Sequence, residues 1–263
     1  MEGMRSMHAS ELFDLTGKVA VVTGGGRGLG RQMAEGLAES GAHVVVCSRK
    51  YEPCLEVSER LKEHGGDSLA FACDVTNPDS VQKVVDKTMD HFGKIDILVN
   101  NSGATWGAPV EDMPLSAWQK VFQVNVTGTF LMSQAVGRVM LEQEEGAIIN
   151  ISSVAGMKGS DPEYMDTIGY NSSKGAVLTF TKDLAVKWGP RGIRVNAIAP
   201  GFFPTKMSEV LMERSSEAFL KNTPLRKFGS EDDLKGAVIF LSSKAAKHIT
   251  GDVIIVDGGS HAM

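Results

Sequence analysis

Tyr170 and Lys174 stand four residues apart in a stretch, Tyr170 to Trp188, whose apolar residues recur at helical spacing, so the two side chains share one face. A phenol loses its proton near pH ~10, too high for useful acid–base work at neutral pH. An ammonium beside it favours the phenolate, and lowering the phenol by about three units takes about 4 kcal/mol of differential stabilisation. A desolvated lysine and a cationic cofactor ring together can supply that, and the pair then suits proton transfer at a substrate oxygen. Y-x-x-x-K also arises by chance on exposed helices, so its weight depends on what converges with it. Asn100-Asn101-Ser102-Gly103 at the end of one predicted strand, Asn125 in the helix after it and Ser152-Ser153 at the end of the next strand all point to the same crevice.

A second constellation lies near the amino terminus. Lys18 to Thr23 is an apolar run, Gly24 to Gly30 holds five glycines in seven residues, and Gln32, Met33, Ala34, Leu37 and Ala38 follow at helical spacing. A strand passes through a glycine turn into a helix. Such a junction leaves backbone N–H groups unpaired at the positive end of a helix, and glycines let a pyrophosphate approach them without Cβ clashes. The bland alternative is a tight βα turn with no ligand; the motif's place between a strand and a helix is the context that dinucleotide binding requires. Sites for NAD place an acidic residue at the end of the second strand, but this chain has Cys47-Ser48-Arg49-Lys50. Arg49, with Arg27 from the glycine loop, suits a 2′-phosphate, so the expected cofactor is NADP(H); otherwise Arg49 and Lys50 are a solvated loop edge.

The elements that position these groups alternate. Predicted strands at Lys18 to Thr23, His43 to Cys47, Leu69 to Cys73, Ile95 to Asn100, Ala147 to Ile151, Arg194 to Ala199 and Val253 to Val256 are separated by helices. Those helices are Pro53 to His64, Pro78 to about Phe92 after the capping Asn77, Ser116 to Leu141, Tyr170 to Trp188 and Ser230 to Ser242. This implies an α/β fold: a single-domain, Rossmann-type, doubly wound parallel sheet of about seven strands with helices on both faces and ligands at the carboxyl ends of the strands. Residues 1–11 read as a flexible arm and 12–263 as the catalytic domain. Between Phe203 and Phe228 the pattern loosens, as a mobile segment over a site would. Phe202, Phe203, Met207, Leu211 and Met212 fit either an apolar lid or core packing.

The 263 residues suffice for one full core, and no linker divides them. The formal charge of -5 and a pI near 5.7 argue against a nucleic-acid surface. The opening MEGMRSMHASEL has no apolar centre and no span is long enough for a membrane, so a cytoplasmic location is expected. Three cysteines without a C-x-x-C and six scattered histidines give no disulfide framework and no metal site.

Taken together, the motifs resemble the short-chain dehydrogenase/reductase (SDR) family from about Leu12 to Gly259. Thr23-Gly24-x-x-x-Gly28-x-Gly30 is similar to its glycine motif, Asn100-Asn101-Ser102-Gly103 to its N-N-A-G with Ser for Ala, Tyr170-x-x-x-Lys174 to its catalytic pair, and Pro200-Gly201 to the dipeptide after strand six. The resemblance implies a catalytic set of Asn125, Ser153, Tyr170 and Lys174. Ser153 would hold the substrate oxygen, Tyr170 would donate the proton, Lys174 would bind ribose and lower the phenol, and Asn125 would hold a relay water. It implies cofactor contacts from Gly24, Gly26, Arg27, Gly28, Leu29 and Gly30, from Ser48 and Arg49, and from Asp74 and Val75 at the adenine. It adds Asn101 and Gly103, Tyr170 and Lys174 at the ribose, Pro200 and Gly201, and Phe203 with Thr205 at the nicotinamide amide. A homotetramer is also implied.

The loop Met157 to Thr167 is longer than the family's commonest spacing and contains Tyr164, which fails as a rival acid because Ile168 stands where its lysine would have to be. The closest resemblance within the family is to 3-oxoacyl-[acyl-carrier-protein] reductases and gluconate 5-dehydrogenases. It implies a ketone or secondary alcohol as substrate, a 3-oxoacyl thioester on CoA or acyl carrier protein first and a sugar acid or polyol second. Glu142-Gln143-Glu144-Glu145 would oppose an acidic carrier protein at a docking rim, where Arg191 is a matching base. A dinucleotide-binding sensor or scaffold without chemistry is the non-enzyme alternative.

Overall fold

The computed structural model describes residues 7–162, 165–205, 216–217 and 219–263. Its strands are β1 (Val19–Thr23), β2 (His43–Ser48), β3 (Ser68–Ala72), β4 (Ile97–Asn100), β5 (Gly146–Ile151), β6 (Ile193–Pro200) and β7 (Val253–Val256). All pair in parallel in one sheet, in the order β3-β2-β1-β4-β5-β6-β7. The central strands β1, β2, β4, β5 and β6 bury both faces, as a parallel sheet covered by helices requires, while the edge strands β3 and β7 are only half-buried. Ala20 and Val22 pack with helices α1 (Gly28–Glu39) and α2 (Tyr51–Lys62) and with the later helix Lys235–Ser242. Val21 between them points the other way, toward α3 (Pro78–Phe92), α5 (Gly128–Gln143) and α6 (Ile168–Trp188). No helix among the described residues is long and apolar enough to cross a membrane.

Several boundaries differ from the sequence expectation for local reasons. The stretch expected to be one helix from Ser116 to Leu141 is α4 (Leu115–Phe122), a π turn over Gln123–Thr127, and then α5. Gly128 N–H donates to the Gln123 carbonyl across that turn. Single π turns inside helices mark functional positions, and Asn125 sits in this one. Ser230 to Ser242 is helical only from Lys235, where α7 (Lys235–Ser242) begins, because the Asp233 carboxylate accepts from Ser230 N and Oγ at 2.8 and 2.9 Å and closes a turn instead. Ala9–Phe13 forms an exposed 3₁₀ turn capped by His8. Asn77 caps α3 as expected, accepting from Ser80 N at 3.0 Å ahead of Pro78.

The sheet order reverses between β1 and β4, so the chain ends leaving them diverge and open a crevice. Thr23 closes the floor of that crevice. Its hydroxyl oxygen accepts from Asn101 N and Ser102 N, both at 3.0 Å, while Asn101 Nδ2 donates to the Thr23 and Gly24 carbonyls at 2.9 and 3.3 Å. Deeper down, Asn100 Nδ2 donates to Asn150 Oδ1 and Asn150 Nδ2 to Thr181 Oγ1, each at 2.9 Å, tying β4, β5 and α6 together. Thr23→Val keeps the shape of the side chain but leaves two N–H groups without their acceptor, so urea unfolding should show a loss of about 2 kcal/mol. An unchanged midpoint would mean that Thr23 does not carry this junction.

Candidate active site

The structure brings the expected residues to one edge of the sheet, the carboxyl ends of its strands. Ser153 follows β5 in extended backbone and caps a short turn, Val154–Gly156, accepting from Ala155 N at 3.1 Å. Gly156 lets that turn touch the backbone of α6, where a Cβ would fall 2.6 Å from Gly175 N. Ser152 Oγ adds a bond to the Lys174 carbonyl at 2.8 Å. These contacts set Ser153 against Tyr170, whose phenol it hydrogen-bonds.

Lys174 is 4% exposed, and its Nζ donates to the Ile151 carbonyl at 2.7 Å. The same ammonium lies 5.6 Å from the centre of the Tyr170 ring. Burial lowers the Lys174 pKa to about 8. It raises that of Tyr170, against which the bond from Ser153 acts. In the protein alone burial holds the phenol high, with the ammonium turned to the end of β5; the expected lowering, in which Lys174 acts together with a cofactor's cationic ring, belongs to the loaded site.

Asn125 is fully buried. Its Oδ1 accepts from Ala104 N at 2.7 Å, and Nδ2 donates to the Ala104 carbonyl at 2.9 Å and to Ser173 Oγ at 2.8 Å. Ser173, also buried, passes its own proton to the Tyr170 carbonyl at 2.7 Å. Sequence reading missed Ser173. Its position directly before Lys174, on the side of α6 facing Asn125, was the available signal. Gly103 lies between the two groups, its Cβ position 3.6 Å from Asn125 Oδ1 and 3.8 Å from Lys174 Nζ.

The glycine loop fits a dinucleotide. Gly24 and Gly28 have φ of +65 and +53°, and a Cβ on Gly30 would come within 2.3 Å of the Gly24 carbonyl and 2.4 Å of Asn101 Nδ2. A Cβ on Gly26 would meet Cys54 less tightly, at 3.1 Å, and Leu29 packs on the core. Arg27 ends in extended backbone ahead of α1, whose first-turn N–H groups have no intrahelical acceptors. Arg27 and Arg49 are exposed and enter no ion pair among the described residues. Ser48 Oγ donates to the Lys50 carbonyl at 2.9 Å. Asp74 is drawn below the ordinary carboxylate range by the N–H and hydroxyl of Thr76, with Arg49 adding attraction.

On the far side, Pro200 pairs with Val256, and Gly201 N donates to the Val256 carbonyl at 2.9 Å. Thr205 reaches over the loop, its Cγ2 3.6 Å from where a Cβ on Gly28 would be. The Phe203 ring is buried in the core against Gly229, which is the core-packing alternative for this residue. Phe202 packs on Phe219, ring centres 3.7 Å apart. Val75 is likewise buried, against Gly128. Met207, Leu211, Met212 and Tyr164 lie outside the described residues.

The acidic run Glu142 to Glu145 precedes β5 and Arg191 precedes β6, so both lie at the amino edge of the sheet, opposite the crevice. There Glu145 pairs with Lys18 at 2.9 Å and Arg191 donates to the Leu141 carbonyl at 3.0 Å. The run cannot form a rim of the site.

Two results are expected. Because the folded pKa of Lys174 is depressed from 10.5 to about 8, the native state binds fewer protons than the unfolded state between those values, so this group makes stability rise with pH across that window. Lys174→Met removes the effect, so the stability difference between variant and parent should change by no more than about 3 kcal/mol, in the parent's favour, from pH 7 to pH 10.5; a constant difference would contradict the assigned burial. Ser173→Ala should lower kcat while leaving cofactor affinity unchanged, as stopped-flow fluorescence and steady-state rates would show.

Comparison with known proteins follows the same edge. A family model described as Enoyl-(Acyl carrier protein) reductase matches residues 24–261. The 3-oxoacyl-[acyl-carrier-protein] reductase of Synechocystis sp. is 40% identical over 247 residues, 93% of this chain and 97% of that one. The gluconate 5-dehydrogenase of Gluconobacter oxydans is 37% identical over 255 residues, 96% and 98% of the two chains. The structure of a gluconate 5-dehydrogenase from Burkholderia cenocepacia in complex with NADP and tartrate superposes with a TM-score of 0.92 at 35% identity, covering 97% of this chain and 100% of that one.

Proposed function

The chain belongs to the short-chain dehydrogenase/reductase family of oxidoreductases, which use a nicotinamide cofactor, and from that premise we propose that it is an NADP(H)-dependent reductase of 3-oxoacyl thioesters. The convergence of Ser153, Tyr170 and Lys174 carries the chemistry. Gly24, Gly26, Arg27, Gly28, Leu29 and Gly30 would hold the pyrophosphate, and Arg27 with Arg49 and Ser48 the 2′-phosphate. Asp74 and Val75 would meet the adenine, Asn101 and Gly103 the adenosine and ribose, and Pro200, Gly201, Phe203 and Thr205 the nicotinamide end. Bound there, the nicotinamide would supply hydride to a substrate carbonyl carbon or take it from a carbinol.

The protein's own part is proton and charge handling. Ser153 Oγ donates to the substrate oxygen as negative charge grows on it, and Tyr170 gives that oxygen its proton. Lys174 would hold the ribose hydroxyls, and its positive charge would favour the phenolate of Tyr170 beside it. Both amide hydrogens of Asn125 are used by Ala104 and Ser173, so a relay water would be held by an Asn125 oxygen.

NADP(H) is supported by Arg49 after β2, where a ribose-binding carboxylate would stand, and by Arg27 in the glycine loop, neither of them in an ion pair among the described residues. A thioester substrate is supported by the Synechocystis relative and by the absence of the acidic run from the site's rim, which leaves both CoA and carrier-protein esters open. The second reading, a sugar acid dehydrogenase, is supported by the Gluconobacter relative. A homotetramer in the cytoplasm completes the reading, the assembly supported by exposed Phe130 on α5, exposed Val186 on α6 and the open edge of β7.

Initial rates of NADPH and NADH oxidation with a short 3-oxoacyl thioester and with 5-ketogluconate test this. NADPH with the thioester should be preferred, and Tyr170→Phe should cut kcat by about 10²- to 10⁴-fold with cofactor binding retained. Arg49→Ala should weaken NADPH about tenfold or more and leave NADH nearly unchanged. Cofactor binding without turnover of any carbonyl would favour a sensor, and activity with NADH alone would refute the role given to Arg27 and Arg49.

A further inference from the structure

One sulfur joins the two loops that carry the free arginine side chains. Cys54, in the first turn of α2, is fully buried. Its Sγ donates to Ser48 Oγ at 3.2 Å and accepts from the N–H of Gly26. The fit at Gly26 is close: a Cβ built there would lie 3.1 Å from both the nitrogen and the sulfur of Cys54 and 3.2 Å from the carbonyl carbon of Pro53. Cys47 and Cys73 bond to each other and pack on the other face of the sheet, so Cys54 is not part of that pair.

A thiol is both a weak donor and a weak acceptor, so a single sulfur can serve both bonds. Burial raises the Cys54 pKa, and at neutral pH the sulfur therefore keeps the proton that it gives to Ser48. Ser48 Oγ gives its own proton to the Lys50 carbonyl at 2.9 Å. The bond from Cys54 fixes the place of that oxygen but not the direction of its O–H, which can rotate from the Lys50 carbonyl to an anion. Gly26 directly precedes Arg27, the exposed base ahead of α1, and Ser48 directly precedes Arg49, exposed after β2. One side chain thus anchors the residue before each arginine.

We propose that Cys54 is a positioning residue for recognition of the cofactor's 2′-phosphate, its sulfur holding Gly26 and Ser48 in register so that Arg27, Arg49 and the Ser48 hydroxyl converge on one dianion, a proposal that rests on the NADP(H) reading above. Cys54 acts through these neighbours. The pyrophosphate would be served by the rest of the glycine loop as well, so loss of the sulfur bears on NADPH more than on NADH.

The test titrates the whole protein with NADPH and NADH, followed by fluorescence of the bound cofactor, and with adenosine 2′,5′-bisphosphate and ADP, followed by calorimetry. Cys54→Ala should weaken NADPH about fivefold and NADH by less than about twofold, with the bisphosphate following NADPH and ADP following NADH. Cys54→Ser, whose hydroxyl also donates and accepts, should keep NADPH within about twofold of the parent. In a protein already carrying Arg27→Ala and Ser48→Ala, Cys54→Ala should change NADPH affinity by less than about twofold, because the anchored oxygen and the base beside Gly26 are gone. Equal weakening of both cofactors, unchanged NADPH affinity, or failure of Cys54→Ser to restore it would overturn the proposal while the parent still prefers NADPH. A parent that binds NADH as tightly as NADPH would remove the NADP(H) reading and the proposal together.

Discussion

Taking the Lys174 ammonium out of water costs free energy that only nearby oxygens can offset, and the surrounding architecture supplies them sparingly. One carbonyl, that of Ile151 at the end of β5, receives its proton at 2.7 Å. The resulting pKa of about 8 makes the group a cation that gives up its charge readily. A lysine at the surface would stay near its ordinary value and its field would be screened by water. Burial keeps the charge unscreened one helical turn from the phenol, 5.6 Å from its ring centre.

That burial depends on close backbone approaches. Gly156 and Gly175 let the turn after Ser153 lie directly on α6, and Gly103 leaves room between Asn125 and Lys174. The Thr23 and Asn101 bonds keep the glycine loop and the end of β4 in fixed relation. The buried asparagine ladder does the same for β4, β5 and α6. Since the four strands β1, β4, β5 and β6 are parallel neighbours, their carboxyl ends must bring these groups to one side. The catalytic distances are therefore a property of strand register more than of any loop.

Most of this was legible in the sequence, because the dominant signals are periodic or local. Short apolar runs marked the seven strands, the glycine cluster marked the turn into α1, and Asn77-Pro78 marked the start of α3. The misread features depend on tertiary placement. A π turn adds one residue to a helix without changing its composition, so Gln123–Thr127 was invisible to helical periodicity. An apolar residue such as Phe203 carries no record of whether it faces a ligand or the core, so both readings stayed open until its ring was found in the core. The run Glu142 to Glu145 looked like a docking rim until its place at the start of β5 put it on the opposite edge. Ser173 escaped notice because a small polar residue in a helix has weight only through its partners.

The central claim is that Tyr170 is held protonated by burial in the protein alone and is brought toward neutrality once a cofactor draws the Lys174 charge to its side. Ultraviolet difference titration of phenolate measures this directly, comparing the parent with Tyr170→Phe, with and without saturating NADP⁺. The account predicts a Tyr170 pKa above the ordinary phenol value of 10.0 without cofactor and a marked fall in its presence. A phenol already titrating near neutrality without cofactor, or one that NADP⁺ leaves unmoved, would contradict it.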